Sequence, residues 1–186
     1  MTTAAETVIS DTVRWLERAV IGLNLCPFAK APHVKRQIHY AVSVATDTQG
    51  LRDELARELQ DLAAAKPEVR ETTLLIVPQL LADFLDYNDF LDVADAVLVE
   101  LALEGDIQIA SFHPDYQFGG TDPDDITNFT NRSPYPTLHL IREASIDRAV
   151  EAFPEAETIF EANMVTLEKL GLNAWQALNV GPTAKP

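Results

Sequence analysis

The sequence predicts an α/β fold: a single-domain mixed sheet of about four strands, three parallel and one antiparallel, packed with helices. Short apolar segments alternate with longer segments of helical periodicity in the order β-α-β-α-β, which favours parallel strands joined by right-handed crossovers. A fourth short strand follows a long loop instead of a helix, so we expect it to pair antiparallel with the third. With 186 residues, 47% of them hydrophobic, the chain is long enough for one buried core. We expect one domain over 1–186, with its core at about 7–175 and loosely held ends at 1–6 and 176–186.

The first half of the chain contains two predicted helices and two predicted strands. Apolar residues at helical spacing indicate a helix at 7–23. The segment QIHYAVSV alternates apolar and polar residues, which is typical of a strand with one buried face. A second helix is expected at 47–65, and the continuous apolar run TLLIV at 73–77 predicts a central strand buried on both faces.

The second half begins with a long predicted helix at 80–103, which ends before Gly105 and leads to a third strand in DIQIASFHP. The connection from 114 to 136 is long enough to hold structure of its own. A short helix is expected inside it, where Thr121 or Asp122 precedes a proline. The remaining elements are a fourth strand, TLHLIR, at 137–142, and two helices, at 146–153 and 155–170.

Composition excludes several classes of partner. Fourteen Lys and Arg residues against 29 Asp and Glu residues give a net charge of -15, which repels polyphosphates and anionic membrane surfaces. We therefore expect neither a nucleic-acid nor a membrane partner. The chain has no basic segment followed by an apolar run at its start and no apolar stretch long enough to span a bilayer, so we expect a cytoplasmic protein. The single cysteine, Cys26, excludes a disulfide framework or a four-cysteine metal cluster within one chain.

Chemistry-bearing residues concentrate where the third strand ends and the fourth begins. If these strands pair antiparallel, His113 and Asp115 lie beside Ser133 and His139, at the sheet edge that binds ligands in open α/β folds. Because histidine transfers protons near neutral pH, His113 and His139 are candidate catalytic residues. We expect the site at this edge, beneath the loop from 114 to 136.

Arg132 and Arg142 are candidate substrate-binding residues, together with Ser133 and Asp115. Arginine offers a planar fork of donors to a carboxylate or phosphate, so we expect a small anionic metabolite as the ligand. Structural alternatives remain open for both arginines. The stem of Arg142 could cross an apolar surface to reach Glu143 or the solvent. Arg132 could instead anchor its own loop through a salt bridge, to Asp122, Asp124 or Asp125.

Cys26 is the third catalytic candidate, as a nucleophile. It precedes Pro27, and the dipole of a short helix beginning at that proline would lower the thiol pKa, with Lys30 one turn later. The alternative is that Cys26 is a small buried hydrophobic residue. A proline-bounded loop separates it from the first strand, so the sequence does not fix whether it reaches the two histidines.

Two groups of residues could bind a metal. In an alternative interpretation, Cys26, His113 and His139 bind a divalent transition metal such as zinc, with an open position for water. Hydrogen bonds within the sheet and loop are the favoured explanation of the two histidines. The helix at 80–103 also carries aspartates at every third position, but such a row drifts around the helix, so a solvated acidic face is favoured over a magnesium site. These aspartates are Asp83, Asp86, Asp89, Asp92 and Asp95.

Long segments of the chain resemble domain of unknown function family 1415, over about 15–171. The resemblance lies in WLERAVIGLNLCPFAKAPHV, DFLDYNDFLDVADAV, IASFHPDYQFGG and DITNFTNRSPYPTLHLIREASIDRAV. It implies no activity, but it marks the segments around Cys26, His113 and 132–143 as the most characteristic. The pieces CPF and YPTLHLIRE also resemble thioredoxin-like proteins, in which a cysteine begins a helix and a proline, often cis, opens a strand. The chain departs from that pattern because it has no second cysteine, a helix instead of a strand precedes Cys26, and an extra β-α unit separates the two pieces.

Together these features favour a small-molecule enzyme that acts on an anionic metabolite, with Arg132 binding the anion, a histidine transferring protons and Cys26 acting as nucleophile. The sequence does not identify the reaction. Two other classes compete with this hypothesis: a metal-binding or thiol-redox protein that uses Cys26 and the histidines, and a non-catalytic interaction module with an acidic surface.

Overall fold

A computed structural model describes residues 3–153 and 155–183 and places one four-stranded sheet between helices. The strands are β1 (Ile38–Val42), β2 (Thr72–Ile76), β3 (Ile107–Phe112) and β4 (Thr137–Arg142). The α-helices are α1 (Ala4–Trp15), α2 (Lys30–Val34), α3 (Thr48–Ala64), α4 (Phe84–Glu100), α5 (Glu143–Ala152) and α6 (Ile159–Ala177). A π-helix, Leu16–Ile21, continues α1, and 3-10 helices cover Ile126–Asn131 and Ala156–Thr158.

The mixed α/β sheet of four strands is confirmed, but the prediction of three parallel strands is wrong. The strand order is β1-β2-β4-β3. Only β1 and β2 form a parallel pair, whereas β4 lies between β2 and β3 and is antiparallel to both. The crossover through α4 therefore carries the chain past one strand position, which β4 later fills. As a result β4 is an interior strand, and both of its faces are covered.

The two faces of the sheet pack against different helices, because alternate residues of a strand point to opposite sides. On one face, α3 and α4 cover Leu75, Leu138 and Leu140. On the other face, Trp15 at the end of α1 packs edge-on against Phe112, with 5.4 Å between the ring centroids. His139 and Ile141 point to this second face, where a cavity lies.

Several helix ends have identifiable causes. Asp83 caps α4 by accepting hydrogen bonds from the backbone of Leu85 and Asp86, so the helix begins later than predicted. The predicted short helix in the long loop is a 3-10 helix, and it is capped by Asp125 instead of Thr121 or Asp122. The last helix, predicted to end at 170, continues as α6 to Ala177 beyond a kink at Gly171, whose φ is 72°.

Hydrogen bonds are formed by residues near both ends of the described chain, and the looseness predicted for 1–6 and 176–186 stays a prediction. Thr3 forms a capping box with Glu6 at the start of α1. The buried carboxylate of Asp11 accepts hydrogen bonds of 2.8 Å from the Tyr135 hydroxyl and from the Thr183 backbone. Residues 1–2 and 184–186 of the predicted ends lie outside the described residues. A helix long and apolar enough to cross a membrane does not occur among residues 3–153 and 155–183.

Candidate functional site

His113 and His139 lie on opposite faces of the sheet, so the predicted site that combines them does not form. The His113 ring packs against Tyr87 and Phe84 of α4, at centroid distances of 5.1 Å and 5.4 Å. His139 alternates with Leu138 and Leu140 along β4 and therefore points away from α4. The antiparallel pairing of β3 with β4 was predicted correctly, but the side on which each histidine lies was not.

Both ring nitrogens of His113 have backbone partners. Its Nε2 lies 2.9 Å from the carbonyl oxygen of Leu81, and its Nδ1 accepts a hydrogen bond of 3.0 Å from the backbone of Asp115. This pairing places the proton on Nε2. Burial lowers the pKa of His113, so the ring is neutral at pH 7. His113 therefore connects the start of the long loop to the segment before α4, and the exposed Asp115 follows it.

Arg132 and Ser133 are held within their own loop. Arg132 donates to the carbonyl oxygens of Tyr116 at 3.2 Å and Pro123 at 2.5 Å, and its guanidinium lies 4.3 Å from the centroid of the Phe129 ring. The buried hydroxyl of Ser133 donates to the carbonyl of Tyr135 at 2.6 Å. Arg132 therefore anchors its own loop, which was the structural alternative, but it does so through carbonyl groups instead of the predicted carboxylates.

Arg142 closes the C-terminal end of α3. Its Nη2 donates to the carbonyl oxygens of Leu62 at 2.6 Å and Ala65 at 2.7 Å. A cation at this end satisfies carbonyl groups that have no partner in the helix and interacts favourably with the helix dipole. Arg142 therefore reaches neither Glu143 nor the predicted substrate site, because the end of α3 offers it better acceptors.

A cavity of about 650 Å³ lies between the sheet and α5, on the face that His139 occupies. Most of the side chains around it are apolar, and they come from segments far apart in the sequence. The apolar walls include Trp15, Leu16, Val20, Phe28, Ile38, Leu74, Phe112, Ile141, Ile146, Ala149 and Ala152. The polar side chains within it are those of Cys26, Thr72, His139 and Ser145. The cavity thus brings together two of the three predicted catalytic residues, Cys26 and His139.

The turn that carries Cys26 is fixed by its neighbours. The π-helix ends where the backbone of Leu25 donates to Val20 at 2.9 Å, and the buried side chain of Asn163 on α6 donates to the Leu25 carbonyl at 2.8 Å. Gly22 is needed here because a Cβ atom at this position would lie 2.3 Å from the carbonyl oxygen of Arg18. These contacts place Cys26 at the cavity wall.

The predicted helix-induced lowering of the Cys26 pKa is wrong. The helix begins at Lys30, not at Pro27. Burial raises the pKa of the Cys26 thiol, and hydrogen bonds from the backbone of Phe28 and Ala29 oppose this effect only in part. The thiol is therefore protonated at neutral pH.

His139 faces the cavity as a neutral imidazole. Its Nε2 lies 2.7 Å from the Thr72 hydroxyl, which itself donates to the carbonyl oxygen of Leu140 at 2.6 Å. Because the Thr72 proton is used in this way, His139 Nε2 carries the proton that joins the two side chains, and Nδ1 keeps its lone pair. Removal of the ring from water lowers the pKa of His139 to about 4.

Charged residues occur only at one margin of the cavity, which we call the rim: Lys35, Glu71 and Arg148. Arg148 Nη2 lies 3.0 Å from Glu71 Oε1, and Lys35 has no ion-pair partner within the part of the chain that the structure describes. A second hollow of about 470 Å³, the polar groove, adjoins the rim and also contains Gln37 and Glu68.

The zinc interpretation of Cys26, His113 and His139 is wrong. Within residues 3–153 and 155–183, no three His, Cys, Asp or Glu side chains are grouped so that they could hold a metal ion. The reason is the separation of the two histidines by the sheet. The aspartate row on α4 is exposed, as expected of a solvated acidic face, and Asp83 is used as the helix cap.

Sequence reasoning missed most residues of the cavity. Lys35, Thr72 and Arg148 lie in segments that carried no recognisable motif. Alternation along TLHLIR did indicate that His139 and Ile141 share a face, but it did not indicate which helix covers that face. One signal for these residues was available: the helical spacing of α5 places Ile146 and Ala149 on the same side of the helix.

The peptide bonds of the described residues are all trans, including the bond before Pro136, and a π-helix instead of a strand precedes Cys26. The chain therefore lacks two features on which the likeness to thioredoxin-like proteins depends. Comparison with known proteins finds no match among curated proteins or solved structures. A family model described as "Protein of unknown function (DUF1415)" matches residues 7–177, which include the cavity residues of α1, the Cys26 turn, the sheet and α5. Since this match spans most of the chain, the protein belongs to the DUF1415 family.

Proposed function

We propose that the protein binds a small molecule whose apolar body occupies the cavity between the sheet and α5. The observation that carries this proposal is the cavity itself, about 650 Å³ in volume with mostly apolar walls. Sites for small molecules typically measure ~300–1,000 Å³ and combine apolar walls with a few polar groups. Close packing leaves few hollows of this size in the interior of an ordinary domain, so a purely structural origin is disfavoured.

The polar groups of the cavity suit recognition of a ligand. Cys26, Thr72 and His139 are the groups that could form directed contacts with it, since the rest of the interior is largely hydrophobic. The His139 lone pair at Nδ1 can accept a hydrogen bond, and the Thr72 contact fixes the orientation of the ring. A ligand with an apolar body and a few polar atoms therefore matches this cavity better than the small, fully polar anion expected from the sequence.

Binding of N-phenyl-1-naphthylamine, an uncharged fluorescent probe, tests the proposal. We expect its fluorescence to increase on binding and the increase to saturate. Ala149→Trp places an indole in the cavity and should weaken binding at least about tenfold, because it removes space that the probe needs. The matched control is Ala63→Trp, which makes the same change at an exposed position of α3, on the other side of the sheet.

The proposal is rejected if the probe does not bind, or if Ala149→Trp and Ala63→Trp bind it equally well. Thermal unfolding of both variants would identify a substitution that prevents folding. Arg132→Met gives a further comparison: because Arg132 anchors the long loop away from the cavity, probe binding should be unchanged. A loss of binding in Arg132→Met would instead favour the site predicted at the edge between β3 and β4.

Thiol chemistry on the bound molecule is a second candidate function, favoured by the presence of Cys26 and His139 in one cavity. With an acyl thioester as the acyl donor, the Cys26 sulfur attacks the carbonyl carbon, the carbonyl electron pair moves to oxygen, and neutral His139 accepts the thiol proton. The electron pair then returns, the bond to the departing thiol breaks, and the departing sulfur takes the proton from His139. His139→Gln keeps a donor for Thr72 but removes the base. It should slow acylation of Cys26 by an apolar acyl thioester, followed by mass spectrometry, while probe binding persists. Equal acylation rates for wild type and His139→Gln would reject this role.

A further inference from the structure

The rim indicates the chemical class of the ligand. We propose that the ligand is an amphipathic carboxylate, with its apolar body in the cavity and its carboxylate at the rim beside Lys35 and Arg148. This inference rests on the proposed function and adds the position and sign of the ligand's charge.

The interior of the cavity offers no counter-charge to an anion. Its polar side chains are uncharged at neutral pH, since burial raises the pKa of Cys26 and lowers that of His139. An ionised group placed among these apolar walls would lose its hydration without gaining a partner, which is strongly unfavourable. The charged part of a ligand must therefore lie where the cavity meets the solvent.

The rim provides cations at that place. Lys35 is exposed and has no ion-pair partner in the described part of the chain, although acidic residues outnumber basic ones in this protein. The Arg148 side chain is 58% exposed and contacts Ser145 Oγ on α5 and Glu71 Oε1, which directly precedes β2. A carboxylate could accept hydrogen bonds from the Lys35 ammonium and from the guanidinium donors that Glu71 leaves free.

The polar groove gives the head of the ligand an exit to the solvent. It shares Ala31, Pro32, Lys35, Glu71 and Arg148 with the cavity, so one molecule can extend from the apolar space into the polar one. Glu68 lines this groove but not the cavity, and it would repel an anion that extended into the groove. The charged residues of the groove therefore favour a ligand whose head is small, carries one negative charge and lies next to Lys35.

Isothermal titration calorimetry with three probes of equal chain length tests the inference: decanoate, decan-1-ol and decylamine. We expect decanoate to bind wild type roughly tenfold more tightly than decan-1-ol, since a charge-assisted hydrogen bond contributes at least this much. Decylamine should bind most weakly. Lys35→Met should remove the advantage of decanoate and leave the affinity for decan-1-ol unchanged, which also shows that the variant is folded.

Lys30→Met is the matched control. Lys30 is the first residue of α2 and Lys35 is the residue that caps its C-terminal end, and the substitution changes the net charge equally, but the Lys30 side chain lines neither the cavity nor the polar groove. We expect it to keep the preference for decanoate. Loss of the preference in both variants would indicate only a general charge effect and would overturn the contact with Lys35.

The failure of this inference can be distinguished from that of the proposed function. Equal affinity of wild type for decanoate and decan-1-ol, or tightest binding of decylamine, overturns the carboxylate assignment while the apolar cavity still binds ligands. If none of the three probes binds and N-phenyl-1-naphthylamine does not bind either, both the assignment and the proposed function are rejected.

Discussion

The face of the sheet beneath α3 and α4 is filled with interlocking side chains, whereas the opposite face leaves a cavity beneath α5. Each of α3 and α4 buries a row of apolar residues, and α5 buries none of its residues. Since burial of apolar surface is the main stabilising contribution in folding, the first face supplies most of the stability. The second face has space between its walls and can therefore contact a ligand. The two roles are divided between the two sides of one sheet.

Adjacent residues of β4 belong to the two different faces of the sheet. Leu138 and Leu140 are fully buried among α3 and α4 residues, while His139 and Ile141 point to the cavity. Neighbouring positions of one strand share the same backbone environment but meet different packing. Substitutions at these positions therefore measure the difference between the faces with little contribution from secondary-structure propensity.

The largest expected effect is the loss of stability in Leu140→Ala. The side chain is fully buried in the packed core, so its removal should leave a cavity and lower the free energy of unfolding by about 3 kcal/mol. Ile141→Ala, which faces space that already exists, should cost only about 1 kcal/mol. Urea denaturation measures both values. Equal losses would mean that the two faces are packed alike and would contradict the comparison.

Enlarging a side chain should also destabilise the packed face more than the cavity face. Ala94 of α4 is fully buried in the packed core, and Ala94→Leu should destabilise the protein by about 2 kcal/mol because the core cannot admit the added atoms. Ala149→Leu makes the same change on α5, where the side chain faces the cavity, and should change stability by less than about 0.5 kcal/mol. Both substitutions replace alanine in a helix, so the difference in helix propensity cancels. A loss in Ala149→Leu as large as that in Ala94→Leu would show that α5 packs closely against the sheet.

The elements that build the packed face were predictable from sequence, because each has a local pattern. The run TLLIV has no charged residue and lies at β2, which is buried throughout. The leucines of α3 recur at helical spacing and all face the sheet. In both cases a few neighbouring residues are enough to predict the element and the side chains that it buries.

The cavity and the strand order were not predictable, because both depend on contacts between distant segments. Pairing of β4 with β3 follows from the long loop, but nothing in TLHLIR shows that β4 also pairs with β2. The insertion of β4 places His139 in the sheet interior, and the position of α5 then decides what surrounds it. The hydrogen bonds of Arg132 and Ser133 were not predictable for a related reason: their donors are used by carbonyls of the same loop, which a residue pattern does not reveal.

Acid should destabilise the cavity face through His139, while His113, whose pKa burial also lowers, adds to the loss on the face beneath α3 and α4. Burial among the cavity walls lowers the pKa of His139 from 6.5 to about 4, so between these values the unfolded chain binds a proton that the folded protein does not. The contribution of neutral His139 to the stability of the folded protein is therefore complete above about pH 6.5 and is lost as the pH falls toward 4. The other titratable groups around the cavity are Cys26, which stays protonated over this range, and Lys35, Glu71 and Arg148 at the rim.

Between pH 7 and pH 5.5 this effect should lower the free energy of unfolding by about 1 kcal/mol, because one pKa unit corresponds to ~1.4 kcal/mol. His139→Gln, which cannot be protonated, should lose less stability over the same range, as measured by urea denaturation at each pH. His39→Gln is the control: burial also lowers the pKa of His39, but its side chain lies on the edge strand β1 and is 46% exposed, so it should change the pH dependence less. If His39→Gln flattened the pH dependence more than His139→Gln, the assignment of the acid sensitivity to the cavity would be contradicted.

The smallest expected effect is on the reactivity of Cys26, which distinguishes a buried thiol from an activated one. Burial raises its pKa above the ordinary value of 9.0, and the thiolate is the form that reacts with iodoacetamide. The alkylation rate should therefore rise about tenfold per pH unit from pH 7 to pH 9 without reaching a plateau. An exposed thiol introduced by Ala63→Cys in a Cys26→Ala background should react faster at each pH and begin to level near its ordinary pKa. A plateau for Cys26 below pH 8.5 would show an activated thiolate and would restore the nucleophile predicted from sequence. Absence of any reaction up to pH 9 would remove Cys26 from the reactive groups of the cavity and leave His139 and Thr72 as its polar contacts.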